Sequence, residues 1–298
     1  MEPAPDAAPL ARRYVELGLR LGRLHTDIVD AYHGPLAWRE AIEAAPASSA
    51  GALVDEARHL LADLDGDGDL DGQRRRWLRR QCVGLETVAR KLRGDDIAYL
   101  DEVEACYGVR PERIEPDEVG ECLHRLDTTL REVVPGSGNR PLHELTADLR
   151  ARHTIAVERL RDAIDILAGD FRARTAAMFG LPDGEEVAFE LVTDKPYSGF
   201  NFYRGDFRSL VTINTDLPVL STAIAHLVAH EAYPGHHTEG CHKEQGLLRR
   251  QGRVEQTIAL IGTPSCLLAE GLADLGLEVL VGEHPLRRWR RCSARSAS

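Results

Sequence analysis

The residues best suited to chemistry lie in one stretch, Ser221 to Glu244, which reads S-T-A-I-A-H-L-V-A-H-E-A-Y-P-G-H-H-T-E-G-C-H-K-E. His230 and Glu231 stand side by side there, followed by Pro234, Gly235, His236 and His237. Imidazoles one helical turn apart can bind zinc, and a carboxylate beside one of them can act as general base, the logic of H-E-x-x-H. The spacing departs from that motif. In a regular helix His236 lies about 9 Å along the axis from His230, too far for two nitrogens that each sit about 2.0–2.1 Å from one ion. Pro234 supplies a way out. It has no N–H for the carbonyl of residue 230, and its ring clashes with that carbonyl at about 3 kcal/mol in a regular helix. Gly235 can adopt backbone angles closed to other residues. The expectation is a kink after Tyr233 that folds His236 or His237 back toward His230. His226, one turn before His230, makes a second histidine pair, for which a hydrogen-bonded rim position is the commoner role.

The elements that must hold these groups are legible as periodicity. Ile224, Leu227 and Val228 keep helical spacing, with Ser221 or Thr222 as N-cap. Downstream, Pro264 to Val281 reads as an apolar helix interrupted by Glu270, Asp274 and Glu278, three acids on one stripe. Like charges at that spacing repel, and a cation facing them would resolve the conflict, an independent reason to expect a metal nearby. Val187 to Thr193 and Leu210 to Asn214 are short β-branched runs that predict a small antiparallel sheet ahead of the motif. Val254 to Gly262 reads as a further helix. Earlier, helices are expected over Leu10–Ala31, Ser49–Leu64, Arg74–Leu92, Ile97–Tyr107 and Pro116–Val134, with one long helix or two from Pro141 to Phe179 and Ile166 among its core positions. The run D-G-D-G-D-L-D-G (65–72) suggests a calcium loop but lacks its turn glycine and closing glutamate, so an acidic linker with Asp71 near a helix N-cap is expected instead.

The string H-E-A-Y-P-G-H-H resembles the signature of the bacterial family called domain of unknown function 885, whose members resemble gluzincin zinc peptidases of the thimet-oligopeptidase and angiotensin-converting-enzyme type. Y-S-G-F-N-F-Y-R-G-D-F-R-S-L-V-T-I-N-T-D-L-P (197–218), A-E-G-L-A-D (269–274) and Y-V-E-L-G-L-R-L-G-R…D-A-Y-H-G-P (14–35) extend the resemblance over most of the chain. It implies a mainly α, zincin-like fold and a zinc-dependent hydrolase, a metallopeptidase cleaving short peptides with one zinc ion. It also implies His230, His236 and Glu270 as ligands, with His236 preferred over His237, and Glu231 as the catalytic base. Asp274 would orient a ligating histidine, and Leu210–Asn214 would be the edge strand that pairs with substrate. Tyr203, Arg204 and Tyr233 are weaker candidates for holding substrate, each also explicable as packing or surface charge.

The domain organisation expected is an N-terminal helical region (1–140), a zincin-like catalytic region (141–283) and a basic tail (284–298) with five arginines and no acid. Relatives continue beyond this point, so the tail is read as a truncation or frameshift near Glu283, with a non-catalytic metal- or peptide-binding remnant as the competing reading. A net charge of −11 argues against nucleic acid as a partner. Six cysteines without a C-x-x-C pair, an acidic, proline-containing N-terminus and no run long enough to span a bilayer lead to a cytoplasmic protein with no membrane partner.

Overall fold

The computed structural model of the chain describes residues 8–67 and 70–282. It is mainly α-helical with two small sheets. Residues from 283 onward, which include the basic tail, and part of the acidic linker, residues 68–69, lie outside the described residues.

Helix α1 (Pro9–Leu24) buries Tyr14, Leu17 and Leu21 and stops earlier than its periodicity suggests. Val29–Tyr32, expected to be helical, is instead strand β1, which pairs antiparallel with β5 (Ile258–Leu260), a segment also expected to be helical. The β-branched and apolar residues of both segments suit a strand, but the pairing partner is remote in sequence and only tertiary contact selects it. Between them come α2 (Leu36–Ala44), α3 (Ala50–Gly66), α4 (Gly72–Arg93), α5 (Tyr99–Tyr107), α6 (Pro116–Val133), α7 (Leu142–His153) and α8 (Val157–Phe179). Ser49 and Asp71 cap α3 and α4 through side-chain oxygens, and Gly108, at φ 74°, closes α5 in the left-handed conformation that glycine tolerates. The Pro141–Phe179 stretch is therefore two helices, broken at 154–156, and Ile166 faces solvent.

The second sheet is mixed rather than antiparallel. Its order is β2 (Glu186–Val192), β4 (Arg208–Asn214), β3 (Gly199–Gly205), with β2 parallel and β3 antiparallel to β4. Leu210–Asn214 thus lies in the central strand, and the edge beside the motif is β3, an aromatic segment without clean alternation. Helix α9 (Ile224–Glu231) follows, then α10 (His236–Lys243), a wide turn through Arg249, β5, and α11 (Pro264–Val281).

A small apolar cluster of Leu130, Val134 and Leu145 joins α6 to α7, and two larger ones organise the rest. One joins α1, α3 and α4 with Val254, Ile258 and Leu260, so the segment after the motif returns to the N-terminal helices. The other joins α8, the second sheet, α9 and the end of α11. Gly18 makes the first junction tight: a Cβ there would lie 2.7 Å from the Leu260 side chain. Arg74 on α4 donates to both carboxylate oxygens of Glu255, at 2.7 and 2.6 Å, and the Glu255 side chain is fully buried. The outward face of α11 carries Leu268, Leu272 and Leu275, each more than half exposed. Among the described residues no helix is long and apolar enough to cross a membrane.

Removing one member of a buried ion pair leaves an uncompensated charge. Glu255→Ala is expected to destabilise the chain by about 3–5 kcal/mol, read as a lowered denaturant midpoint at unchanged slope.

Candidate metal centre

Helix α9 ends at Glu231 because the chain lacks a backbone donor three residues later. Pro234 offers no N–H, and the next amide, Gly235, reaches back to the carbonyl of Ala229 at 2.9 Å, a six-residue span in place of the helical four. The loosened carbonyls find other donors. The Asn201 side-chain amide on β3 donates to the Glu231 carbonyl at 2.6 Å, and the Thr238 hydroxyl and amide both donate to Ala232. The Tyr233–Pro234 peptide is cis. A Cβ on Gly235 would collide with the carbonyl oxygens of His230 and Ala229, so only glycine fits this turn. Helix α10 then restarts at His236.

The consequence is compaction. His230 Nε2 and His236 Nε2 lie 3.1 Å apart. Glu270 on α11 completes the group, 3.4 Å from His230 Nε2 and 3.5 Å from His236 Nε2. Gly276 makes this approach possible: a Cβ there would meet the Pro234 ring at 3.1 Å, so α11 rests directly on the break. Asp274 accepts from His230 Nδ1 at 3.0 Å, which leaves Nε2 as the lone-pair nitrogen facing the group.

These distances can be tested against zinc. Four ligands at about 2.0–2.1 Å in a tetrahedron are separated by about 3.3 Å along each edge; here the two imidazole nitrogens are 3.1 Å apart, and the Glu270 carboxylate turns one oxygen toward each, Oε2 at 3.4 Å from His230 Nε2 and Oε1 at 3.5 Å from His236 Nε2. Two nitrogens and the Glu270 carboxylate are thus grouped closely enough to hold such an ion. His226, His230 and Asp274 form a second group of possible ligands, but it needs His230 Nδ1, already at hydrogen-bond distance from Asp274, and His226 stands 3.8 Å from that carboxylate.

Glu231 is buried, 6% exposed, and its carboxyl is pushed up to about 8 by burial, then by the like charges of Glu270 and Asp30. Burial likewise drives the His236 ring down to about 4, keeping the imidazole neutral as a ligand must be. All these groups open onto one cleft of about 490 Å³, whose wall includes Gly199, Phe200, Asn201 and Tyr203 of β3. Gly199 lies so close to Glu231 that a Cβ there would sit 3.1 Å from the carboxylate.

His237 does not join the cluster. Fully buried, it bonds Ser209 Oγ and Glu185 Oε2, each at 2.9 Å. Tyr233 also points away from the cleft and donates its hydroxyl to Glu185 at 2.7 Å. Arg204 lies at a separate shallow depression with Asp206, Arg208 and Arg249. Tyr203 does line the cleft, with its hydroxyl donated to Glu244 at 2.6 Å. Three residues not singled out from the sequence matter here. Glu185 clamps both flanks of the break through Tyr233 and His237, Asn201 satisfies the Glu231 carbonyl at the end of α9, and Asp30 lines the cleft. Asp30 belongs to the D-A-Y-H-G-P string (30–35), whose combination of acid, histidine and turn residues was the available signal.

No family model and no curated protein matches the chain. Among solved structures, "The crystal structure of the putative lipoprotein from Colwellia psychrerythraea" aligns at 16% identity and a TM-score of 0.36, over 88% of this chain and 56% of that one. The chain thus spans a little over half the length of that protein.

Two outcomes test this account. Gly235→Ala should force the turn open and abolish stoichiometric zinc uptake, measured by metal analysis after dialysis. For Glu185, burial raises the carboxyl, but hydrogen bonds from His237, Tyr233 and Arg172 overcome this and hold it at about 2, below the ordinary 4.5. The ionised clamp therefore favours folding above pH 4.5, and its contribution fades as pH falls toward 2. Acid unfolding of Glu185→Gln, followed by circular dichroism, should lose stability less steeply across that window than the parent.

Proposed function

We propose that the protein is a zinc-dependent hydrolase of the zincin-like, domain of unknown function 885 type, a metallopeptidase acting on short peptides in the cytoplasm. The observation that carries this reading is the convergence of His230 Nε2 and His236 Nε2, 3.1 Å apart, on the Glu270 carboxylate, whose two oxygens lie 3.4 and 3.5 Å from them, with Glu231 opening onto the same cleft. The cytoplasmic assignment rests on the cysteines, since those at 82, 106, 122, 241 and 266 are all free thiols.

Zinc bound by His230, His236 and Glu270 would supply Lewis acidity and make a water acidic enough to attack a carbonyl near neutral pH. Glu231 accepts the proton of the attacking water and returns it to the leaving amine. A carboxyl whose burial raises its proton affinity is suited to both halves of that transfer. Asp274 holds the His230 ring in the tautomer that presents Nε2. The β3 edge beside Glu231 offers the place for an extended peptide to lie, by strand addition.

Glu231→Gln should keep one equivalent of zinc while turnover of a peptide mixture falls by about 10²–10⁴-fold, and His236→Ala should lose the metal. A parent chain that binds zinc yet cleaves nothing in the mixture would instead be a non-catalytic metal- or peptide-binding remnant.

A further inference from the structure

The cleft carries more negative charge than its candidate centre uses. Asp30, Glu231, Glu239, Glu270 and Asp274 all line it, against a single lysine, Lys243. Four of the five acids are accounted for. Glu239 pairs with Lys243 at 2.7 Å, Glu270 faces the two histidines, Asp274 holds His230, and Glu231 is the buried proton carrier. Asp30 is left over, its carboxylate making no hydrogen bond or ion pair with any described residue.

Its placement follows from the strand that bears it. The register of β1 against β5 slips between Val29, opposite Leu260, and Ala31, opposite Ala259, so Asp30 is the extra residue of a β-bulge. A bulge leaves one residue outside the ladder and re-aims its side chain. Both Asp30 and its neighbour Ala31 line the cleft, which regular alternation would forbid. The Asp30 side chain is exposed within the cleft, where partial desolvation, then the charge of Glu270, raises its carboxyl to about 6.

Resting on the reading of the site as a peptidase, we propose that Asp30 receives a cationic group of the substrate, so that the cleft selects peptides carrying an ammonium or guanidinium near the bond that is cut. A free peptide N-terminus and a lysine or arginine side chain both present this chemistry. Either supplies the charge-assisted hydrogen bonds that nothing in the chain gives Asp30.

The test uses the zinc-loaded full chain and three pentapeptides with a C-terminal fluorophore: free-amine Ala-Ala-Phe-Ala-Ala, its N-acetyl form, and an N-acetyl form with lysine in place of the first alanine. Binding is followed by fluorescence polarisation and turnover is measured separately. The expected result is about 10-fold tighter binding of a charged peptide than of the neutral one, with the advantage lost in Asp30→Asn and kept in Asp30→Glu. Which charged peptide is preferred identifies the source of the cation. Equal affinity of all three peptides for the parent overturns the proposal, as does an equal loss for all three in Asp30→Asn. Discrimination without any turnover would refute the hydrolase and leave the anchor standing.

Discussion

Between Ala229 and Gly235 the backbone hydrogen bond spans six residues instead of four, because the proline at 234 has no amide hydrogen to offer. That missing donor ends α9, restarts the helix at His236, and converts an axial separation of about 9 Å in a regular helix into a contact of 3.1 Å between two imidazole nitrogens. The surrounding chain is arranged to accept the break. Gly235 leaves room for the carbonyls it crosses, Gly276 lets α11 lie against the proline ring, and Asn201 and Thr238 satisfy the carbonyls that the interrupted helix exposes.

The acidic residues divide into two populations with different physics. Glu185, Glu244 and Glu255 have fully buried side chains, and each is paired with an arginine, Arg172, Arg249 and Arg74 respectively. They tie elements together. The clamp at Glu185 grips the motif from the side away from the cleft, and the Glu244 carboxylate is bonded by Tyr203 of the cleft wall. The cleft acids have no arginine among the lining residues. The three arginine-paired anions are neutralised by the chain itself, whereas at the cleft only Glu239 meets a cationic side chain, Lys243, and Glu231 is buried without one.

Much of this was legible in the sequence because it rests on local rules. Proline and glycine at 234–235 announce a helix break, Gly108 announces a helix end, and Asp71 an N-cap. Glu270 and Asp274 stand out as charges in an apolar helix. The misread elements are those chosen by remote partners. Val29–Tyr32 and Ile258–Leu260 become strands only because each meets the other. The order of the second sheet likewise places Leu210–Asn214 in the centre and hands the edge to Gly199–Gly205, whose aromatic and glycine residues hide its strand character. Glu185 lies in a turn-rich sequence with no periodicity to mark it, and its role emerges only from three side chains converging on one carboxylate.

Helix α11 is supported from one side only, its other side presenting Leu268, Leu272 and Leu275 to water. The histidines are fastened by a bonded turn, but the carboxylate meant to face them rides on this half-supported element. Any ion that bridges the three donors would therefore act as a tether as well as a reactant site. Its capture would slow amide hydrogen exchange along α11 far more than in the well-packed N-terminal helices, because ligand binding raises the opening free energy most where it was lowest.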